Sequence, residues 1–362
     1  MAKFELISGL GPRTTKDQDL KNLSKITKKS NVVKTSGNGI ESKIQNIEVA
    51  ISKYLNKFID RIEIIKDEEE FIKYIEESIS FGSISIDTET TGLNIFEDLI
   101  LGGCFYFPGK KGVYVPIRHT SYVSGNLLQN QISLDCFVKG LKMLQESDIK
   151  IIMHNAKFDI RMINSNFNVK LKCYWDTMIA AKLLNNLEPA SLKYQYNKKI
   201  LGVEKTYDYD KLFGEIEFSK VPVRLAGVYA AADAIETYDL YEYQVEEFKK
   251  YTRVYNVFRN IEMPLLEVIC HMEDVGIAID KNYANELSIK YHKLLDEAEK
   301  DVQEEINKFN DKIQQYNILN NNKLKTPINT SSPVQLSILL YDVMKVKEVD
   351  KKDPRGTGEY IL

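Results

Sequence analysis

Three short segments carry carboxylates at spacings that could do chemistry. In Ile84-Ser85-Ile86-Asp87-Thr88-Glu89-Thr90, apolar alternation runs straight into an acidic pair. Residues i and i+2 of a strand share a face, so Asp87 and Glu89 are expected to project together near the strand's end. Two carboxylates so placed repel each other unless a cation neutralises them. A hard divalent ion that prefers oxygen ligands suits that position. In Met153-His154-Asn155-Ala156-Lys157-Phe158-Asp159, a strand ends and Asn155 can cap a helix. Asp159 follows one turn later, on the same helix face as Asn155. In Tyr229-Ala230-Ala231-Ala232-Asp233, an i, i+4 pair again shares a helix face, and three alanines would let that helix lie close against a sheet. An acid on such a face calls for a partner or a metal, and Tyr229 beside it could orient a water. Taken singly, each segment also has an ordinary reading: a solvated strand edge, a capped helix with a surface acid, a core tyrosine with an exposed aspartate.

The pattern around these segments supplies elements to hold them. Strands are expected at 63–65, 83–87, 99–107, 112–116 and 150–153, the middle pair joined by a turn at 108–111. Asp67 stands at an N-cap position ahead of acidic Glu68–Glu70, and Phe71, Ile72, Ile75 and Ile79 form that helix's apolar face. Further helices are expected at 131–145, 157–164, 177–184, 191–198 and 225–249. Strands first and helices after, around one sheet, indicate a mixed α/β layer domain. Ahead of it, Ile47, Ile51, Leu55 and Phe58 suggest a short amphipathic helix near 44–59, while 11–45 is polar and reads as poorly ordered.

Composition narrows the chemistry. The chain has 362 residues, 43% of them hydrophobic and 28% charged, which fits a soluble globular chain of two or three domains. The net charge of −3 gives no sign of nucleic-acid binding over the whole chain. Residues 1–60 nonetheless hold eleven Lys/Arg against six Asp/Glu, a basic leader before an acidic body. Cys104, Cys136, Cys173 and Cys270 are far apart, and the four histidines are equally scattered. That argues against structural zinc and a disulfide framework. Any catalytic metal is therefore expected on carboxylates, as Mg²⁺ or Mn²⁺. No bilayer-length apolar run and no signal peptide are visible, so the cytoplasm of a bacterium or of a phage-infected host is the expected location, with no membrane partner.

The order of the three motifs, DxE at a strand end, NxxxD opening a helix and YxxxD in a later helix, resembles the DEDD exonuclease superfamily in its tyrosine-bearing branch, over about residues 61–250. The resemblance implies a ribonuclease H-like mixed sheet flanked by helices and followed by a helical segment. It implies two-metal 3′→5′ hydrolysis with Mg²⁺ or Mn²⁺, acting on single-stranded or frayed DNA 3′ ends. Asp87, Glu89 and Asp233 would hold the metal that activates water, Asp87 would bridge to the second metal, and Asp159 would help hold that one largely through water. Tyr229 would position the attacking water. Leu93 matches the apolar residue that wedges against terminal bases, and Asn155 matches a residue near the 3′-terminal nucleotide; with Thr88 these make up the expected substrate-binding set. A further base-stacking aromatic finds no firm register in 200–222.

The segment from Arg259 to Asp280 carries Pro264 inside a helix start and Gly276 at its end. It resembles the helix that joins proofreading and polymerase domains in family A DNA polymerases. The helical pattern 280–313 and Ser332-Pro333-Val334-Gln335-Leu336 resemble the start of the thumb. The expected organisation is a leader at 1–60, an exonuclease domain at 61–253 and a thumb beginning at 254–362. Because no fingers or palm follow, the chain is expected to be a cut piece or one half of a split phage-type polymerase, unable to polymerise alone and partnered by a separate palm and fingers chain. Two other readings compete: an RNA-processing exonuclease of the same superfamily, which would carry a helical RNA-binding domain after 250, and a non-catalytic scaffold that binds DNA or a polymerase half.

Overall fold

The computed structural model describes residues 39–203, 212–214, 216–348 and 354–358. Most of the basic leader lies outside them. The described part falls into two compact units that meet at Val275/Gly276.

In the first unit, β1 (Ile62–Ile64), β2 (Ser83–Thr90), β3 (Ile100–Tyr106), β4 (Gly112–Pro116), β5 (Lys150–Met153) and β6 (Cys173–Asp176) form, among the described residues, one sheet in the order β1-β4-β3-β2-β5-β6. The β2, β3 and β4 neighbours run antiparallel, whereas β1 joins β4, and β5 and β6 join β2, in parallel. This is the mixed sheet expected. The short strand β6 was not expected; only Trp175 and Asp176 of its four residues are buried, so its apolar signal is weak.

Helix α1 (Ile40–Tyr54) and α2 (Glu68–Phe81) precede β2. Asp67 caps α2 by accepting from the Glu70 N–H at 3.0 Å. Ile47, Ile51, Leu55 and Phe58 are all buried in the main core. This stripe, upstream of the exonuclease domain expected from 61, thus packs into the same core as the sheet. Helix α3 (Leu134–Glu146), α4 (Ala156–Phe167), α5 (Thr177–Leu184) and α6 (Leu192–Lys199) follow, and then the long α7 (Val223–Lys250). Ala230, Ala231 and Ala232 are fully buried. A Cβ on Gly112 would stand 2.7 Å from Ile235 Cγ1, and one on Gly227 2.7 Å from Ile64 Cγ1. Small residues on both surfaces thus bring α7 against the sheet.

The two compact units divide at 275/276, whereas the exonuclease and thumb segments were expected to divide at 253/254. Past α7, α8 (Thr252–Val257), a π-helical turn (Phe258–Glu262) and α9 (Met263–Val275) stay with the first unit. Phe258 is fully buried, with its ring centroid 4.5 Å from that of Trp175. Arg161 on α4 binds Glu273 at 2.5 Å and Asp274 at 2.7 Å. An aromatic anchor at one end and an ion pair at the other hold the connecting helix to the sheet domain.

The second unit contains α10 (Lys281–Asn307), α11 (Asn310–Leu319), α12 (Pro333–Ser337) and a π-helical continuation, Ile338–Val343. Asp280 caps α10 through the N–H groups of Asn282 and Tyr283, both at 3.0 Å. The helical pattern expected over 280–313, as an exposed or hairpin-forming helix, is broken between Asn307 and Asn310. Ile306 and Ile313, on either side of the break, both reach a small core with Leu324, Ile328, Leu339 and Val343.

Candidate active site

Strand β2 supplies the first carboxylates. Asp87 lies opposite Cys104 and Glu89 opposite Gly102 on β3, so both side chains stand on one face, partly exposed. Ligand atoms of Asp87, Glu89 and Cys104 all lie within 4.8 Å of one another. Burial, then the charges of Asp159, Asp233 and Glu89, push the Asp87 carboxyl well above its ordinary range. Burial and the Asp233 charge do the same to Glu89. Each acid thus feels the others, and β2, α4 and α7 bring the expected four together.

Asp159, on the first turn of α4, is buried and accepts from Thr88 Oγ1–H at 2.6 Å and Thr88 N–H at 3.0 Å. Burial raises its carboxyl to about 7 in spite of these donors. Thr88 was expected to meet substrate. Its side chain is buried and holds Asp159, and alternation along β2 turns it away from the face of Asp87 and Glu89.

Asn155 also differs from expectation. It precedes α4 in the left-handed region (φ 63°), and its side chain makes no cap bond. The cap comes from Asp176 at the end of β6, which accepts from Ala156 N–H at 2.8 Å, Asn155 N–H at 3.2 Å and, toward α5, Met178 N–H at 2.8 Å. The Asn155 residue lines a cavity of about 500 Å³ with Lys157, Lys182 and Ile269 among its walls. Leu93 stands in the loop after β2, 84% exposed.

Asp233 and Tyr229 sit one turn apart on α7. Burial raises Asp233 to about 6, opposed by the Lys193 ammonium and by a hydrogen bond from Tyr229. The Tyr229 ring packs edge-on against Phe213 (5.1 Å) and Phe218 (6.1 Å). These two aromatics fall in the stretch where no register was found.

Lys193 on α6 is the residue that the sequence reading gave no role. It donates to Asp233 Oδ1 and to Glu236 Oε2, the latter at 2.9 Å, and lies 5.0 Å from the Tyr229 ring centroid. Its helix, LKYQYNKK, looks like any solvated lysine-rich face. The signal lay on α7, where Glu236 follows Asp233 by three residues on an alanine-rich face and calls for a cation.

The donor set fits a hard divalent ion. The charge of Asp233 on α7 raises both carboxyls of β2, and that repulsion is relieved by positive charge. Cys104 is a poor rival ligand for a hard ion, which prefers the carboxylate oxygens beside it to a soft sulfur.

A mixed sheet of this order with acids on β2, α4 and α7 defines a ribonuclease H-like nuclease. Residues 62–248 match the 3′-5′ exonuclease family, and the chain belongs to it as the exonuclease domain of a family A DNA polymerase. It is 28% identical over 279 residues to DNA polymerase I of Borreliella burgdorferi, covering 77% of this chain and 28% of that protein. To DNA polymerase I of Pseudomonas aeruginosa it is 26% identical over 309 residues, covering 83% and 31%. The DNA polymerase of Bacillus phage SP01 matches at 27% over 205 residues, covering 53% and 21%. The chain thus spans less than a third of these relatives' length. Among the described residues no helix is long and apolar enough to cross a membrane.

Proposed function

We propose that this 3′→5′ exonuclease domain proofreads, removing nucleotides from single-stranded or frayed DNA 3′ ends beside a polymerase active site. The mutual electrostatic influence of Asp87, Glu89, Asp159 and Asp233, with Tyr229 bonded to Asp233, carries the reading. Asp87, Glu89 and Asp233 would hold one divalent ion, Mg²⁺ or Mn²⁺, and Asp87 and Asp159 would serve a second. When bound, such ions lower the pKa of an attacking water and stabilise the leaving oxygen. Thr88 fixes Asp159 so that one carboxylate oxygen stays aimed. Tyr229, clamped by Phe213 and Phe218, is rigid enough to orient a water. Leu93, almost fully exposed, can wedge against a terminal base, and Asn155 can meet the nucleotide from the rim of its cavity. A separate or covalently continuous palm and fingers would complete a polymerase.

The test is incubation with 5′-labelled single-stranded DNA and RNA in Mg²⁺ or Mn²⁺. Stepwise shortening of DNA from its 3′ end, abolished by Asp87→Ala, is expected. Preferential trimming of RNA would favour an RNA-processing role, and no degradation of either strand would sink the catalytic assignment.

A further inference from the structure

Asp233 and Glu236 lie three residues apart on α7 and place two buried carboxylates on one helix face, the Glu236 side chain without any exposure. Lys193 reaches between them from α6, itself only 12% exposed. A buried carboxylate without a positive partner is strongly unfavourable, and the ammonium pairs with both acids. The nearby Lys57 also feels Glu236, but its ammonium sits over the rings of Phe58 and Tyr196, 4.6 and 4.5 Å from their centroids.

We propose that Lys193 is a resident counter-ion of Asp233, anchored by Glu236, which a divalent ion must displace, so that this lysine sets the metal concentration the site requires. Asp233 is one of the carboxylates assigned above to the metal, and the inference rests on that reading. A carboxylate oxygen that accepts an ammonium proton cannot offer the same lone pair to an ion. Glu236 gives the displaced ammonium a place to stay, since it remains bonded there when Asp233 lets go. Contact with the Tyr229 ring makes Lys193 a positioning residue for the tyrosine as well.

The experiment is Mn²⁺ binding followed by electron paramagnetic resonance on the intact chain, without substrate. The double variant Lys193→Met/Glu236→Leu removes one positive and one negative charge together. The long-range field therefore changes little, Glu236 is not left as a buried carboxylate without its ammonium, and Asp233 loses the competing cation that the ion then replaces. Losing a charge-assisted hydrogen bond that the ion would otherwise have to break is expected to tighten Mn²⁺ binding by roughly tenfold or more. The rise in melting temperature at saturating Mn²⁺ should grow in step. Lys193→Arg keeps the competing cation and should bind Mn²⁺ as the wild type does. Unchanged or weaker binding in the double variant overturns the inference. A wild-type chain that binds no Mn²⁺ overturns the metal site beneath it, a distinguishable result.

Discussion

Thr88→Val removes one hydroxyl and little else. Valine matches threonine in shape, and the Thr88 backbone N–H still reaches Asp159 at 3.0 Å. What disappears is the 2.6 Å bond from Oγ1–H to the same oxygen. A buried hydrogen bond to a charged group contributes about 1.5–3 kcal/mol. One pKa unit corresponds to about 1.4 kcal/mol, so Asp159 should rise by roughly one to two units from its position near 7. The ionised carboxylate is the form that can serve a metal. The acid limb of the pH–rate profile, measured by single-turnover DNA trimming at subsaturating Mn²⁺, should therefore move upward by roughly one unit or more. Activity well above that limb should approach the wild-type value. A uniform loss at every pH, with the limb unmoved, would show that Thr88 does not act through the charge of Asp159.

Other perturbations follow from the same geometry. Asp159 and Asp233 have carboxyls raised from 3.8 to about 7 and about 6, so between those values the folded chain binds protons that the unfolded chain has released. Stability in EDTA, read by urea unfolding, should then be highest near pH 4 and fall as pH rises toward 7, and divalent metal should reverse the loss; a flat profile would contradict this. Gly112→Ala sets a methyl 2.7 Å from Ile235 Cγ1 and 3.1 Å from the Ala231 carbonyl. It should cost about 1–3 kcal/mol in denaturation and lower activity by lifting α7 from the sheet. Leu93→Ala, at a residue 84% exposed, should leave stability within about 0.5 kcal/mol while slowing removal of paired 3′ ends more than single-stranded ones.

Much of the site is legible in the sequence because its parts are local. The alternation into Asp87 and Glu89, the turn between Asn155 and Asp159, and the alanines between Tyr229 and Asp233 each fit within seven residues. Long-range pairing is where the reading stops. Nothing near Lys193 marks it, since its partners Asp233 and Glu236 lie forty and more residues away on another helix. Asp176 displaces Asn155 as the cap of α4 from across the sheet, on a strand too short to show a period. The connecting helix reads as a boundary by composition, but Phe258 on Trp175 ties it to the first unit. The break between α10 and α11 falls at Lys308-Phe309, where no glycine or proline marks it.

The central claim is that the four carboxylates form one metal site. Anomalous diffraction from crystals soaked in Mn²⁺ tests it most directly. The account predicts manganese bounded by Asp87, Glu89 and Asp233, with a second ion on the side of Asp87 and Asp159, and the loss of both peaks in Asp87→Ala. Manganese bound elsewhere, or peaks at these residues that survive Asp87→Ala, would contradict it.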